Sequence, residues 1–252
     1  MTAAGKLFVV GLGPGDPGCL THDASAALAK AQDVIGYAPY VARVPFVEGQ
    51  TRLASDNRVE IDRAREAFER AAAGRVVAVV SGGDPGVFAM AAAVFEAMDG
   101  GAAAWRDIDV EVVPGVSAMQ AAAARIGAPL GGDFCAISLS DNLKSWETIT
   151  RRLEHAAKGD FVIALYNPAS RARPTRIHDA FALLRGLLDA NTPVVFAKSV
   201  WRAQEEIIVT SLGDADLSCV DMSTLVVIGS TATKVVARGA KPPVVYTLRR
   251  AP

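Results

Sequence analysis

Three turn sequences rich in glycine, aspartate and proline carry the clearest chemical signal in the first half of the chain. They are GLGPGDPG at residues 11–18, SGGDPG at 81–86 and VPGVSA at 113–118. Glycine lets a backbone approach a bound molecule closely, and carbonyl and carboxylate oxygens accept hydrogen bonds from hydroxyl and ammonium groups. The three turns therefore have the composition of a binding site for a neutral or cationic molecule.

The glycines of the first turn also satisfy the GxGxxG pattern of dinucleotide-binding proteins. However, Pro14 and Pro17 bring no N–H group to a pyrophosphate, and Asp16 would repel it. The acid that binds a ribose about 20 residues further on is missing, since the second strand ends in VIGYAPY. A phosphate loop of the Walker type is excluded because no glycine run is followed by its lysine and hydroxyl residue.

Tight turns that need glycine only for a positive φ are the simpler interpretation of any one of these sequences. Three such turns at one sheet edge, two of them containing Gly-Asp-Pro, favour a ligand site instead. S-adenosylmethionine fits this composition, because it offers an adenine, ribose hydroxyls, an ammonium group and a sulfonium that needs no anion site. We therefore expect this nucleoside rather than NAD.

The elements that position these turns alternate between apolar strand patterns and helical patterns. The predicted strands are 7–11, 76–80, 110–113, 134–139, 161–166, 194–198, 206–210, 225–228 and 244–248. The predicted helices are 56–73, 87–98, 118–126, 146–157 and 175–190. Each turn follows a strand, and the carboxyl ends of parallel strands meet at one edge, so the turns should line one crevice.

The order of the elements predicts an α/β protein with two domains. Helical patterns are frequent up to residue 190, after which four strand patterns follow almost consecutively. We expect a mostly parallel sheet with helices in the N-terminal domain and a mixed sheet in the C-terminal domain. The turn-forming sequence GAPLGGD at 127–133 indicates domains of residues 1–127 and 128–252.

The composition restricts the possible partners. The chain has 252 residues, 51% of them hydrophobic, and a net charge of −1, which gives no global attraction to nucleic acid. No apolar run reaches the length of a membrane span or a signal peptide core, so we expect no membrane partner and a cytoplasmic location. Cys19, Cys135 and Cys219 lie far apart, which predicts buried thiols and no bound metal.

Several motifs, in order along the chain, resemble those of the tetrapyrrole methylases. They are GLGPGD, SGGDPGVF, VPGVSA, DFCAISLSD and ALYNPASRARP, and the resemblance extends over residues 6–236. Separated motifs in a fixed order are more specific than any one of them alone. Within the family, the blocks DFCAISLSDNLKSWETITRRL and YNP are most similar to members that methylate C17 of precorrin-3B, with ring contraction, in cobalamin biosynthesis.

The resemblance implies a homodimer of two-domain subunits, with S-adenosylmethionine in the cleft between the domains and the tetrapyrrole in an open trough above it. It also implies a set of cofactor contacts drawn from both halves of the chain. They are Pro14, Gly82, Gly83, Asp84, Val87, Ser117, Ala118, Tyr166, Asn167, Ser199 and Thr224.

Methyl transfer from a sulfonium to carbon is an in-line displacement that needs alignment and no nucleophilic side chain. Ring contraction also requires proton transfer, for which Asp16, His22 and Tyr166 are the candidate acid or base groups. A simpler interpretation exists for two of them. Thr21 is placed to cap a helix that begins beside His22, and an aspartate such as Asp16 often closes a turn through its own backbone.

Basic residues of the second half are the candidates for substrate binding. Arg171 and Arg173 lie in SRARPTR, where Arg176 is the weaker candidate, and AKSVWR adds Lys198 and Arg202. A tetrapyrrole carries acetate and propionate groups, and guanidinium groups bind carboxylates through two parallel hydrogen bonds. The alternative is a solvated basic loop. Two aromatic residues, Trp146 and Trp201, are candidates to flank the macrocycle.

Three alternatives stay open at this point. The substrate could be the cobalt-containing counterpart of the anaerobic route, or another precorrin that a sister enzyme methylates. The chain could also be a non-catalytic module that binds a nucleoside. Turnover of S-adenosylmethionine with a tetrapyrrole separates the enzymes from the binding module.

Overall fold

The structure is a computed structural model that describes residues 5–56, 59–170 and 173–250. The chain divides into two compact units, Met1–Ala118 and Met119–Pro252. The predicted boundary after residue 127 lies at the end of the helix Ala118–Ile126, whereas this division lies near its start. This helix bonds to later residues of the second unit through Met119, Ala121 and Arg125.

The first unit contains one parallel sheet of five strands in the order β3-β2-β4-β1-β5. The strands are β1 (Lys6–Gly11), β2 (Asp33–Tyr37), β3 (Thr51–Ser55), β4 (Val76–Ser81) and β5 (Asp109–Val113). The prediction of a parallel sheet is confirmed. Because all strands run the same way, the turns after β1, β4 and β5 lie at one edge.

Helices cover both faces of this sheet. They are α1 (His22–Lys30), α2 (Ala38–Val41), α3 (Glu60–Ala72) and α4 (Met90–Gly100). Side chains alternate between the faces. Val9 belongs to a core cluster that includes Phe68 of α3 and Val94 of α4, whereas Val10 belongs to a second cluster that includes Leu28 of α1. The near-continuous apolar strands of the first unit reflect this burial on both faces.

The second unit contains a mixed sheet of five strands, in the order β10-β9-β11-β8-β7, and a sheet of three, in the order β12-β13-β6. Its strands are β6 (Gly127–Ala128), β7 (Phe134–Ser138), β8 (Val162–Tyr166), β9 (Pro193–Lys198), β10 (Glu206–Ser211), β11 (Thr224–Ile228), β12 (Thr233–Arg238) and β13 (Lys241–Thr247). Its helices are α5 (Ala118–Ile126), α6 (Trp146–Lys158) and α7 (Arg176–Arg185). The prediction of a mixed sheet is confirmed.

Strand directions in the larger sheet bring several predicted site residues to one edge. Strand β7 is parallel to β8, and both β8 and β9 are antiparallel to β11. The carboxyl ends of β7, β8 and β9 therefore lie at the same edge as the amino end of β11.

Some boundaries and strands differ from the sequence prediction. The helix predicted from residue 87 begins at Met90, because Phe88 has a left-handed φ of 52° and Ser81 Oγ accepts the N–H of Met90 at 3.3 Å. The strands Thr51–Ser55, Gly127–Ala128 and Thr233–Arg238 were not predicted, because none of them has a buried apolar run. Strand Asp33–Tyr37 was expected only from the sequence VIGYAPY.

The three cysteines are free thiols that are only partly buried. The prediction of buried thiols is therefore wrong, because Cys19 and Cys219 lie in short 3-10 helices near the surface and Cys135 lies on the edge strand β7. No helix within the described ranges is both long and apolar enough to span a membrane.

A buried ion pair holds the amino end of β2. Asp33 is fully buried, and its Oδ1 accepts a hydrogen bond of 2.5 Å from Arg75 Nη2, while Arg70 Nη1 lies 3.5 Å from Oδ2. The hydrogen bonds from Arg75 lower the pKa of Asp33 below its ordinary value of 3.8, although burial acts in the opposite direction. The ionised carboxylate therefore stabilises the folded first unit.

Asp33→Asn is expected to lower the free energy of unfolding at neutral pH by about 2 kcal/mol, because a buried charge-assisted pair is broken. The folded pKa is depressed, so this stabilisation is present above the unfolded pKa and disappears as the pH falls below about 3.8 towards the folded pKa. Urea unfolding of both proteins across the acid range measures it. A difference between them that stayed constant through that range would contradict a stabilising role of the ionised carboxylate.

Candidate functional site

The three glycine-rich turns of the first unit contact one another through their backbones. A Cβ added to Gly115 would lie 2.4 Å from the carbonyl oxygen of Gly83, and one added to Gly11 would lie 2.7 Å from the same atom. Real Cβ atoms do not approach that closely. Glycine at these positions is therefore required by the packing of the turns themselves.

Hydrogen bonds join the first turn to the second. The N–H of Gly13 donates to the carbonyl of Gly83 at 3.1 Å, and the N–H of Gly83 donates to the carbonyl of Gly13 at 2.9 Å. Both residues have left-handed φ angles, of 65° and 69°, which glycine adopts without strain. The two turns therefore behave as one hydrogen-bonded unit.

Asp84 joins the second turn to the third. Its Oδ1 accepts the N–H of Gly86 at 2.8 Å, and its Oδ2 accepts the N–H of Gly115 at 3.0 Å. A carboxylate that accepts from backbone N–H groups makes hydrogen bonds roughly twice as strong as neutral ones. Asp84 thus has a structural role in the turns, and its contact with a cofactor stays a prediction.

Two residues that the sequence analysis did not single out support the same edge. Arg43 Nη2 donates to the carbonyls of Leu12 and Gly13, at 3.1 and 2.9 Å. The Tyr40 ring lies beside Gly82, where a Cβ would come within 2.7 Å of it. Both residues follow β2 in YAPYVAR, and the parallel direction of β2 was the signal that could have placed them at this edge.

The candidate acid or base groups of the first unit have the simpler roles. The Asp16 carboxylate accepts the N–H of Gly18 at 2.7 Å and caps a 3-10 helix. His22 is exposed in the first turn of α1, where Thr21 Oγ1 accepts the N–H of Ala24 at 3.1 Å. The predicted helix cap at Thr21 is confirmed. A catalytic role for Asp16 or His22 stays a prediction.

The remaining cofactor candidates of the first unit lie on the same three turns or, for Val87, directly after one of them. Pro14 and Ser117 are buried, and Gly82, Val87 and Ala118 are half-buried. The structure therefore brings all of the predicted first-unit cofactor residues to the carboxyl edge of one parallel sheet.

The cofactor candidates of the second unit lie at the edge formed by β7, β8, β9 and β11. Tyr166 ends β8, and its hydroxyl accepts the N–H of Met119 at 3.0 Å. Asn167 has a left-handed φ of 51°, and its Nδ2 donates to Ser138 Oγ at 2.9 Å. Ser199 follows β9 and also has a left-handed φ, of 47°.

Thr224 and Lys198 belong to a hydrogen-bonded network around Asp221. Lys198 Nζ lies 2.8 Å from the Asp221 carboxylate, and the Thr224 hydroxyl donates to it at 3.1 Å. Partial burial raises the pKa of Asp221, but the hydrogen bonds from Lys198, Ser223 and Thr224 lower it to about 2. The charge of Lys198 is therefore already balanced within the protein.

The basic loop is likewise balanced by an acid. Arg176 donates to Asp141 at 2.7 and 2.9 Å, and its guanidinium lies over the Trp146 ring at 4.6 Å. Arg173 Nη1 lies 3.6 Å from the same carboxylate, with the Arg173 side chain 14% exposed. Arg171 lies outside the described residues, and Arg202 is exposed. Trp146 also packs against the core of the second unit.

A family model of the Tetrapyrrole (Corrin/Porphyrin) Methylases matches residues 6–216. The chain belongs to the tetrapyrrole methylase family. This confirms the resemblance that the motifs predicted, and the α/β fold agrees with it.

Two relatives and one solved structure are similar to this tetrapyrrole methylase. The precorrin-3B C(17)-methyltransferase of Sinorhizobium sp. is 56% identical over 245 residues, which cover 97% of this chain and 96% of that protein. The cobalamin biosynthesis protein CobIJ of Mycobacterium bovis is 45% identical over 91% of this chain, which spans only 45% of that longer protein. A crystal structure of the methyltransferase CobJ superposes with a TM-score of 0.91 at 48% identity, covering 97% of this chain and 100% of that one.

Asp84→Ala is expected to lower the free energy of unfolding of the unliganded protein by about 2 kcal/mol, because two charge-assisted hydrogen bonds between turns are lost. Asp16→Ala is the matched control, since within the described ranges that carboxylate bonds to Gly18 of its own exposed turn, and about 0.5–1 kcal/mol is expected for it. Chemical denaturation measures both. Equal losses for the two variants would refute the role of Asp84 as a link between turns.

Proposed function

We propose that this tetrapyrrole methylase is an S-adenosylmethionine-dependent precorrin-3B C(17)-methyltransferase that acts, with ring contraction, in cobalamin biosynthesis. The substrate is proposed from the 56% identity to the Sinorhizobium enzyme along 97% of the chain. The cofactor is proposed from the family and from the three linked turns of the first unit. The observation that supports the cofactor proposal most is that several N–H groups of these turns donate to acceptors within the turns.

A loop that binds phosphate leaves its backbone N–H groups directed at the ligand. In these turns the N–H groups of Gly13 and Gly83 bond to each other's carbonyls, and those of Gly86 and Gly115 bond to Asp84. The N–H of Gly18 bonds to Asp16. These bonds, together with two carboxylates, make the edge a poor site for pyrophosphate and support a nucleoside with a sulfonium and an ammonium group.

When bound, the cofactor supplies an activated methyl group, and the protein aligns it with the acceptor carbon. The rigid turns suit this task because their backbones pack without intervening side chains. In the first unit we propose contacts from Pro14, Gly82, Gly83, Asp84, Val87, Ser117 and Ala118. In the second unit we propose contacts from Tyr166, Asn167, Ser199 and Thr224.

For proton transfer we favour Tyr166 among the three candidates. It ends β8 next to the left-handed Asn167, at the edge where the second-unit cofactor candidates lie. Asp16 already closes its own turn, and His22 lies exposed beside a helix cap.

Carboxylate groups of the substrate are proposed to bind Arg171, Arg173, Lys198 and Arg202. For two of these residues binding would involve competition, because Asp141 lies beside Arg173 and Asp221 pairs with Lys198. A tetrapyrrole carries several carboxylates, and contacts made by many of them at once can outcompete these two internal partners.

A homodimer and a cytoplasmic location are also proposed. Sedimentation of the purified protein tests the dimer.

Incubation with precorrin-3B and S-adenosylmethionine is expected to give S-adenosylhomocysteine and a product that is heavier by one methyl group, with a changed absorption spectrum. Isothermal titration should show binding of S-adenosylmethionine and none of NAD. A parallel reaction uses the cobalt-containing counterpart of precorrin-3B. Faster turnover of that compound would make it the substrate in place of precorrin-3B. Binding of S-adenosylmethionine without turnover of any tetrapyrrole would identify a non-catalytic nucleoside-binding module.

A further inference from the structure

The loop that follows β9 is held in a strained backbone conformation. Ser199 has a φ of 47° and Trp201 a φ of 61°, in the left-handed region. This region costs a residue with a side chain roughly 1–2 kcal/mol. Elsewhere the chain places glycine at many of its positive φ angles, including Gly13, Gly74 and Gly239. The surrounding structure must therefore hold Ser199 and Trp201 in place.

The contacts that hold Trp201 come from α5 and from the end of the same loop. The Trp201 indole Nε1–H donates to the carbonyl of Ala121 at 3.2 Å, and Arg125 Cζ lies 3.7 Å from the centre of a Trp201 ring. Glu205 Oε2 accepts the backbone N–H of Trp201 at 2.6 Å and Arg125 Nε–H at 3.1 Å. One carboxylate oxygen thus joins the loop backbone to the helix.

The same contacts fix Ser199 indirectly. The N–H of Arg202 donates to the Ser199 carbonyl at 3.1 Å, and the N–H of Glu205 donates to the Arg202 carbonyl at 3.1 Å. The N–H of Ser199 donates to the carbonyl of Ser223, next to Thr224, at 3.0 Å. Two successive turns therefore transmit the position of Glu205 to Ser199.

Helix α5 also reaches a second cofactor candidate. Its Met119 N–H donates to the Tyr166 hydroxyl at 3.0 Å. One short helix thus bonds to the residue that ends β8 and to the loop that follows β9. A movement of the loop relative to this helix would change the spacing between Ser199 and Tyr166.

We propose that Arg125, Trp201 and Glu205 form a clamp that positions Ser199 and Tyr166 for cofactor binding. The inference rests on the proposed function, since the two positioned residues are proposed cofactor contacts. The clamp residues are positioning residues that act through the loop backbone. Without the clamp, the strain at Ser199 and Trp201 is released, and the loop relaxes away from the binding geometry.

The test compares Glu205→Ala and Glu205→Gln, with Glu154→Ala as the matched control. Glu154 also forms an ion pair, with Lys158 at 2.6 Å, but near the end of α6, which leads into the amino end of β8 and not its carboxyl end. Glu205→Ala is expected to raise the KM and Kd for S-adenosylmethionine about tenfold, with kcat for the formation of S-adenosylhomocysteine changed less than about twofold, because a lost positioning contact weakens ground-state and transition-state binding alike.

Glu205→Gln is expected to recover most of the affinity, because an amide oxygen still accepts the Trp201 N–H. Trp201→Phe keeps an aromatic ring but loses the indole N–H that bonds to Ala121, and roughly a threefold rise in KM is expected. Both milder variants keep the test decisive if Glu205→Ala does not fold. Thermal unfolding of each variant without ligand shows how much folded protein the titrations contain.

Glu205→Ala with wild-type KM and Kd, or a loss of kcat for S-adenosylhomocysteine formation with KM unchanged, would overturn the clamp. An equal defect in Glu205→Gln and Glu205→Ala would also overturn it, since rescue by the conservative change is required. If the wild type itself neither binds nor turns over S-adenosylmethionine, the proposed function fails and the clamp fails with it. If the wild type is active and the Glu205 variants bind S-adenosylmethionine as it does, only the clamp fails. If the wild type is active and Glu205→Ala binds more weakly than Glu205→Gln, both proposals are supported.

Discussion

The close approach of three glycine backbones, Gly11, Gly83 and Gly115, is the constraint on which the ligand edge of the first unit depends. Their turns lie too near one another to admit a Cβ. With side chains excluded, the backbone groups of one turn become the hydrogen-bonding partners of the next, and Asp84 completes the set. The parallel sheet beneath provides this arrangement because it ends β1, β4 and β5 at one edge.

This packing also determines which ligands the turns can attract. The N–H groups of Gly13, Gly83 and Gly115 bond within the turns, so they are not directed at an anion, even though the glycine spacing resembles that of a dinucleotide-binding loop. The carbonyls of Leu12 and Gly13 are in turn held by Arg43, which fixes their direction. The edge is thus pre-organised before any ligand arrives, and pre-organisation is what an in-line methyl transfer needs from a protein.

The second unit reaches a comparable order by other means. Its edge places side-chain residues, among them Asn167, Ser199 and Trp201, in left-handed conformations, and polar contacts hold them there. Three of its described basic residues lie beside acids, since Asp141 contacts Arg173 and Arg176 and Asp221 contacts Lys198. The sequence predicted basic residues that bind substrate carboxylates, and it gave no sign that carboxylates of the chain itself lie beside them.

The sequence was sufficient for the parallel sheet and the three turns, because a continuous apolar run followed by glycine is typical of a buried strand that ends in a tight turn. It was insufficient for strands without a buried apolar run, such as Thr51–Ser55, and prolines at 242 and 243 concealed the start of Lys241–Thr247. Ion pairs such as Arg125 with Glu205 join residues 80 positions apart, so only the folded chain reveals them. The conformation of Trp201 is similarly a product of tertiary contacts, since local preference disfavours it.

We propose that backbone packing among the three turns creates the cofactor site. The Kd of S-adenosylmethionine, measured by isothermal titration for Gly115→Ala against Gly100→Ala, tests this most directly. A Cβ at Gly115 would meet the Gly83 carbonyl, whereas a Cβ at Gly100 meets no atom within 4 Å. We expect Gly115→Ala to weaken binding at least about tenfold, which is ~1.4 kcal/mol, while Gly100→Ala binds as the wild type does. A folded Gly115→Ala protein with wild-type affinity would contradict the proposed origin of the site.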